Sequence, residues 1–254
     1  MRTGLYFILF VFSACAPRSV ILVTSTNLKS DTSVKPNKAM VSFIQPYKSG
    51  MQKYTALVVG KTDTSFNAER PCGSLGNLCS DFLLNWGDSL LNTVKSCKVD
   101  MAVLNNGGLR NSLPKGEINL GHMLELMPFE NEAIVLKLRG TAVDSLFRHI
   151  IGRGGEPVSG LKLEIQENGN YLAFIQGKPF DINREYYIAT SDYLYQGGDG
   201  FSMLKNASDV WPGKLKMRDV FVRRIFAETA AFGVVPRRNE RRIVYANETT
   251  IFKK

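Results

Sequence analysis

The sequence predicts an α/β (α+β) fold, a mixed β-sheet with flanking helices. Three observations lead there. Short apolar runs of strand length alternate with stretches of helical period. An Asn-Gly pair separates two β-rich segments, which requires part of the sheet to be antiparallel. The composition, 44% apolar and 22% charged over 254 residues, is that of a folded chain and excludes collagen-like, low-complexity and wholly disordered classes.

Taken in order, residues 54–60 (YTALVVG) form a β-branched run closed by Gly60 and read as a strand. Leu75, Leu78, Cys79, Phe82, Leu83, Trp86 and Leu90 then recur at steps of three and four, the stripe of an amphipathic helix. Its other face carries Asn77, Asp81, Asn85 and Asp88. Residues 99–104 read as a buried strand, 120–126 as a helix and 133–138 as a strand. A further helix opens at Thr141, with Asp144 three residues on in a capping-box-like pattern. Residues 161–165 and 171–175 flank the Asn168-Gly169 reversal and form a hairpin. Residues 185–191 are a strand, 217–232 a helix with Val220, Phe221, Ile225 and Phe226 inward, and 241–246 a closing strand.

The N-terminus reads as a sorting signal. Arg2 precedes an apolar run of about eight residues, long enough for a signal peptide and too short to span a bilayer. It ends in Phe12-Ser13-Ala14-Cys15, which resembles a bacterial lipobox with Cys15 as the lipidated residue; an ordinary secretory peptide is the other reading. The expected organisation is a signal peptide over 1–14, a Ser/Thr/Asn/Lys-rich tether over 15–38 and one domain over 39–254. The expected location is extracytoplasmic, on a bacterial membrane through the lipid anchor only. Cys72, Cys79 and Cys97 then remain, so at most one internal disulfide forms, with the pair undetermined. The net charge of +9 suits anionic ligands, but the basic residues are scattered apart from Arg237-Arg238 and Arg241-Arg242, which argues against a nucleic-acid partner. Two histidines, His122 and His149, are too few for a multi-histidine metal centre.

Three loops carry groups that suit a ligand. In Asn105-Asn106-Gly107-Gly108-Leu109-Arg110 the glycines let backbone N–H groups approach an anion, Asn105 both donates and accepts, and Arg110 presents a planar fork suited to phosphate. A strand-ending turn with a solvated arginine accounts for the same residues. In Met127-Pro128-Phe129, Pro128 stops the preceding helix and fixes Phe129, either as a ring that stacks on a base or as a core residue. In the third, from Ser191-Asp192-Tyr193 to Gly197-Gly198-Asp199-Gly200-Phe201, glycines expose the Asp199 carboxylate, which suits a vicinal diol such as ribose. A Gly-Asp-Gly turn fits it as well.

Together with Leu75-Gly76-Asn77-Leu78 at the head of the long helix, these loops resemble, in the same order, the C-terminal domain of the bacterial and animal 5'-nucleotidases. The resemblance runs from about residue 54 to 245. It implies that Phe129 and Tyr193 sandwich the base, Asp199 holds the ribose hydroxyls, Asn105 bonds near the base and Arg110 contacts the phosphate or sugar side. Tyr193 stands where the family pattern has a second phenylalanine. Arg70 matches the arginine before Leu-Gly-Asn only with a one-residue gap.

The resemblance also implies that hydrolysis belongs to a separate metallophosphatase domain with two divalent metals. This sequence contains no Asp-x-His and no Gly-Asn-His-Glu stretch, so no catalytic residue, metal ligand or cofactor is expected in it. The expected function is the substrate-binding half of a 5'-nucleotidase, completed in trans by a metallophosphatase partner that carries the metals. The alternative is a non-enzymatic nucleoside- or nucleotide-binding lipoprotein, and a neighbouring metallophosphatase gene distinguishes the two.

Overall fold

A computed structural model of the protein describes residues 35–246. The expected signal peptide, lipobox and Cys15, and the tether up to residue 34, lie outside the described residues. In chain order the elements are α1 (Lys38–Thr55), β1 (Val58–Thr62), α2 (Ser74–Lys95), β2 (Met101–Val103), β3 (Gly116–Asn119), α3 (Leu120–Leu126), β4 (Glu132–Arg139), α4 (Gly140–Gly152) and β5 (Val158–Ser159). There follow β6 (Leu161–Ile165), β7 (Tyr171–Ile175), β8 (Lys178–Pro179), β9 (Glu185–Ser191), α5 (Asp192–Tyr195), β10 (Asp209–Lys216), α6 (Met217–Phe232) and β11 (Ile243–Tyr245). The described residues divide into two units after Gln45, and the second, from Pro46 onward, holds every strand and α2 to α6.

The class is the expected one. The central sheet has the order β10-β4-β9-β2-β5. Its β2–β9 pair is parallel, while β4 runs antiparallel to both β9 and β10. Two smaller sheets accompany it, β1-β3 and β11-β6-β7-β8. The expected antiparallel hairpin forms from Leu161 to Ile175 with Ile165 opposite Tyr171, and Gly169 takes φ +81° in its reversal.

The inner strands β2, β4 and β9 are largely buried on both faces, which explains why they read as apolar runs rather than as an alternation; the edge strand β10 has no buried residue. Ala102, Ala133, Val135 and Ala189 face one core with α2, α3 and α6. Met101, Val103, Ile134, Leu136 and Ile188 face a second core with α4 and the β6–β7 hairpin.

Several elements differ from the sequence reading. Tyr54 belongs to α1, and the strand expected at 54 begins at Val58. The α2 stripe buries Leu75, Leu78, Cys79, Phe82 and Leu83 as expected, but Asn77 on the polar side is buried too. Its amide donates to Glu240 O at 2.9 Å, because the chain after α6 returns across this side of α2. Asp81 receives Arg242 on both oxygens and Arg238 at 3.2 Å. Those arginines therefore clamp the C-terminal segment rather than forming a solvated patch. In α6, Phe226 is exposed; the inward stripe continues from Ile225 to Glu228, whose carboxylate receives Arg238 at 2.8 Å. The expected cap at Thr141 does not form: α4 starts from Arg139 without a side-chain cap, and Asp144 instead accepts from Arg148 and Tyr171. Among the described residues Cys72, Cys79 and Cys97 are all free thiols.

Asp81 joins α2, the C-terminal segment and Ser159 of β5. Asp81→Ala, which removes the carboxylate that Arg238 and Arg242 share and leaves them Glu228 and Glu240 alone, is expected to cost about 1–3 kcal/mol. The exposed Asn85→Ala should change stability by less than about 0.5 kcal/mol. Urea unfolding with an unchanged m-value would measure both.

Candidate functional site

Strand directions bring the three loops together. β2 and β9 are parallel and β4 antiparallel, with Ala102 opposite Ala189 and Ala133 opposite Ser191. The C-terminal ends of β2 and β9 and the start of β4 therefore share one rim of the sheet, the edge where open α/β sheets bind ligands. Asn105 follows β2, Asn131 precedes β4 and Tyr193 follows β9. With Gly107, Gly108, Arg110, Phe129 and Asp199 they line a cleft of about 260 Å³.

Each group is held from outside the cleft. Phe129 sits on the turn between α3 and β4, where Arg218 of α6 grips the chain on both sides of it: Nη1 donates to Met127 O at 3.1 Å and Nη2 to Glu130 Oε1 at 2.6 Å. The ring itself is 41% exposed. Tyr193, 40% exposed, stands on the first turn of α5, whose Ser191 Oγ accepts from Leu194 N at 3.2 Å. The Asp192 carboxylate accepts from Glu132 N and Tyr193 N, which ties α5 to the start of β4. The Tyr193 ring lies against the backbone of Gly198, where an added Cβ would stand 2.4 Å from Cζ. Only glycine leaves room there.

Asp199 adopts a left-handed conformation, φ 53° and ψ 23°, between Gly197 at φ 87° and Gly200 at φ 81°. Aspartate tolerates this region better than most residues, and the turn aims its carboxylate into the cleft. Tyr193 Oη donates to Oδ1 at 2.9 Å and Asn105 Nδ2 to Oδ2 at 2.7 Å, with Arg153 Nη2 3.6 Å from Oδ2. Burial works against ionisation of this carboxyl. The hydrogen bonds from Asn105 and Tyr193 and the charge of Arg153 outweigh it and hold Asp199 below the usual carboxylate range. The same hydrogen bond pushes the Tyr193 phenol up. Arg110 is exposed and makes one weak hydrogen bond, 3.5 Å to Gly107 O; among the described residues no carboxylate pairs with it. Its charge is available to an anion.

Five of the six binding residues expected from the sequence, Asn105, Arg110, Phe129, Tyr193 and Asp199, thus meet in one cleft. Arg70 does not. Its guanidinium donates to Arg153 O, Gly155 O and Glu156 Oε1, and it lines a different cavity beside Cys72 and Ser74. It is joined to the loop after β2 through Glu156.

Glu156 is completely buried and was not singled out in the sequence. Its Oε1 accepts from Arg70 and Arg153; its Oε2 accepts from Asn106 N at 2.6 Å and Asn106 Nδ2 at 2.9 Å. It joins the loop after β2 to Arg153, which reaches Asp199. His149 lies edge-on to Phe201 with Nε2 3.1 Å from Asp199 O. A lone glutamate after a glycine pair gives little sequence signal for such a role, because only Arg153 is near it in the chain and its other partners are 50 and 86 residues away.

His122 closes a capping box with Asn119 at the start of α3. Among the described residues no three His, Cys, Asp or Glu side chains are grouped to hold a metal ion. The donor set does not fit the two-metal centre that the resemblance implies for hydrolysis. The cleft offers two exposed rings, one carboxylate, two amides and an open guanidinium.

A family model described as 5'-nucleotidase, C-terminal domain, matches residues 58–206. Among curated relatives, an apyrase of Aedes albopictus is 29% identical over 216 residues, covering 75% of this chain and 37% of its own length. A 5'-nucleotidase of Rattus norvegicus is 23% identical over 217 residues, covering 73% and 36%. The crystal structure of a 5'-nucleotidase precursor from Thermus thermophilus superposes with a TM-score of 0.66 at 25% identity, over 83% of this chain and 43% of that one. The chain spans little more than a third of the length of these curated relatives.

The link from Tyr193 to Asp199 is open to titration. In protein carrying ζ-¹³C tyrosine, Tyr193 should titrate above the ordinary value near 10, because the carboxylate favours the protonated phenol. In Gly198→Ala the displaced ring loses that hydrogen bond, and its midpoint should fall toward the ordinary value. An unchanged midpoint would contradict the contact.

Proposed function

Because this chain belongs to the 5'-nucleotidase C-terminal domain family, we propose that its cleft grips the nucleoside half of a nucleotide while a separate polypeptide supplies the metals and cuts the phosphate. The observation that carries this reading is the meeting, on one rim, of two exposed rings and an ionised carboxylate drawn from distant stretches of chain. Phe129 and Tyr193 stack on the base, an interaction worth about 1–3 kcal/mol per base that tolerates different bases. Asp199 accepts the ribose hydroxyls, Asn105 bonds toward the base and Arg110 meets the phosphate side.

On this reading the partner is a metallophosphatase chain whose divalent metals activate the attacking water. Arg110 holds the phosphate end of the nucleotide toward that partner, and the rings keep the nucleoside in place. The chain is an extracytoplasmic lipoprotein, with signal peptide 1–14, Cys15 lipidated, a tether over 15–38 and the binding domain over 39–254. Tethering both partners on one membrane raises their effective concentration, so a modest interface suffices.

Calorimetric titration with adenosine as the probe tests the binding step. Phe129→Ala and Asp199→Ala should each weaken binding, the former by roughly 5- to 150-fold. Arg110→Ala should weaken AMP more than adenosine. Equal affinity in wild type and all three variants would remove the pocket. For turnover, the chain alone with Mn²⁺ should release no phosphate from AMP, and adding the metallophosphatase encoded beside its gene should restore release. Binding without any restorable turnover would favour a non-enzymatic nucleoside-binding lipoprotein.

A further inference from the structure

The Asp199 carboxylate is fixed in more ways than binding a diol alone requires. Its backbone stands in the left-handed region, φ 53°. Its carbonyl oxygen is contacted by His149 Nε2 at 3.1 Å and Arg153 Nη1 at 3.3 Å. Its side chain cannot rotate freely, because Tyr193 Oη donates to one oxygen and Asn105 Nδ2 to the other. Tyr193 is itself seated, with its ring on Gly198 and its backbone N–H on Asp192.

An ionised carboxylate has about four acceptor positions, two on each oxygen. Tyr193 and Asn105 occupy one on each, so one on each oxygen is left without a hydrogen bond, with Arg153 Nη2 3.6 Å from Oδ2. That is a two-point acceptor of defined orientation, which matches two adjacent hydroxyls and leaves one acceptor unsatisfied when either hydroxyl is missing. Sites built this way reject the analogue lacking the hydroxyl, because the unpaired polar group keeps its desolvation cost.

We infer that the Tyr193 hydroxyl is a specificity-determining positioning group, which by fixing Asp199 makes the cleft select ribonucleosides over 2'-deoxyribonucleosides. The inference rests on the reading of the cleft as a nucleoside site. Tyr193 then acts on both halves of the ligand, its ring on the base and its hydroxyl, through Asp199, on the sugar. A phenylalanine at this position would keep the first role and lose the second.

The test is calorimetric titration of the full chain with adenosine and with 2'-deoxyadenosine, for wild type, Tyr193→Phe, Tyr193→Ala and Asp199→Ala, each shown to be folded by its unfolding midpoint. Wild type should prefer adenosine by about tenfold or more. Tyr193→Phe should shrink that ratio by about fivefold, Asp199→Ala should bring it near unity, and Tyr193→Ala should weaken both ligands. A Tyr193→Phe ratio equal to that of wild type, or a wild type that does not discriminate, overturns the inference while the nucleoside reading stands. Failure of wild type to bind either compound overturns both.

Discussion

The buried carboxylate of Glu156 is the constraint on which the cleft depends. A carboxylate sealed from water is costly unless each oxygen is satisfied, and here four donors from three separate stretches of chain do so. Asn106 fixes the loop after β2, which carries Asn105 and Arg110. Arg153 fixes the end of α4 and reaches Asp199, and Arg70 fixes the segment leading into α2. None of the three can move without leaving charge uncompensated in the interior. The loop geometry is thus held by electrostatics beneath the rim, which frees the groups on the rim to face solvent.

That division of labour explains the two exposed rings. A phenylalanine and a tyrosine 41% and 40% exposed forgo the apolar burial that would normally fix them. Their orientation comes instead from polar clamps around them, Arg218 on Met127 O and the Glu130 carboxylate to either side of Phe129, and Asp192 at the base of Tyr193. Rings held this way present their faces to a partner with little ordering left to be done on binding, the arrangement that favours affinity through preorganisation.

Elements whose stabilising contacts are local are legible in the sequence. The α2 stripe and the hairpin reversal at Gly169 need only neighbours a few residues away. The sequence misleads where a distant segment intervenes. Asn77 and Asp81 look like a solvated helix face until the chain at residues 238–242 crosses them, and Thr141 looks like a cap until Tyr171 and Arg148 take Asp144. Phe226 matches the inward pattern of α6, yet Glu228 occupies that stripe because Arg238 arrives to pair with it. The sequence reading misses α1, although Met40, Phe43, Ile44, Tyr47, Met51 and Tyr54 recur at helical spacing; none of its residues is buried.

What the sequence determined by itself was the chemical inventory and its order: two rings, an acid, an amide and an arginine on turns that glycine and proline make possible, together with the apolar runs that specify a mixed sheet. What only the tertiary structure decided was which of those turns share a rim. That depends on the relative directions of β2, β4 and β9, which pairing across the sheet sets. The pairing of Arg70 and Asn106 with Glu156 and the bond from Asn105 to Asp199 likewise join groups 50 to 94 residues apart, whose separation along the chain says nothing of their distance in space.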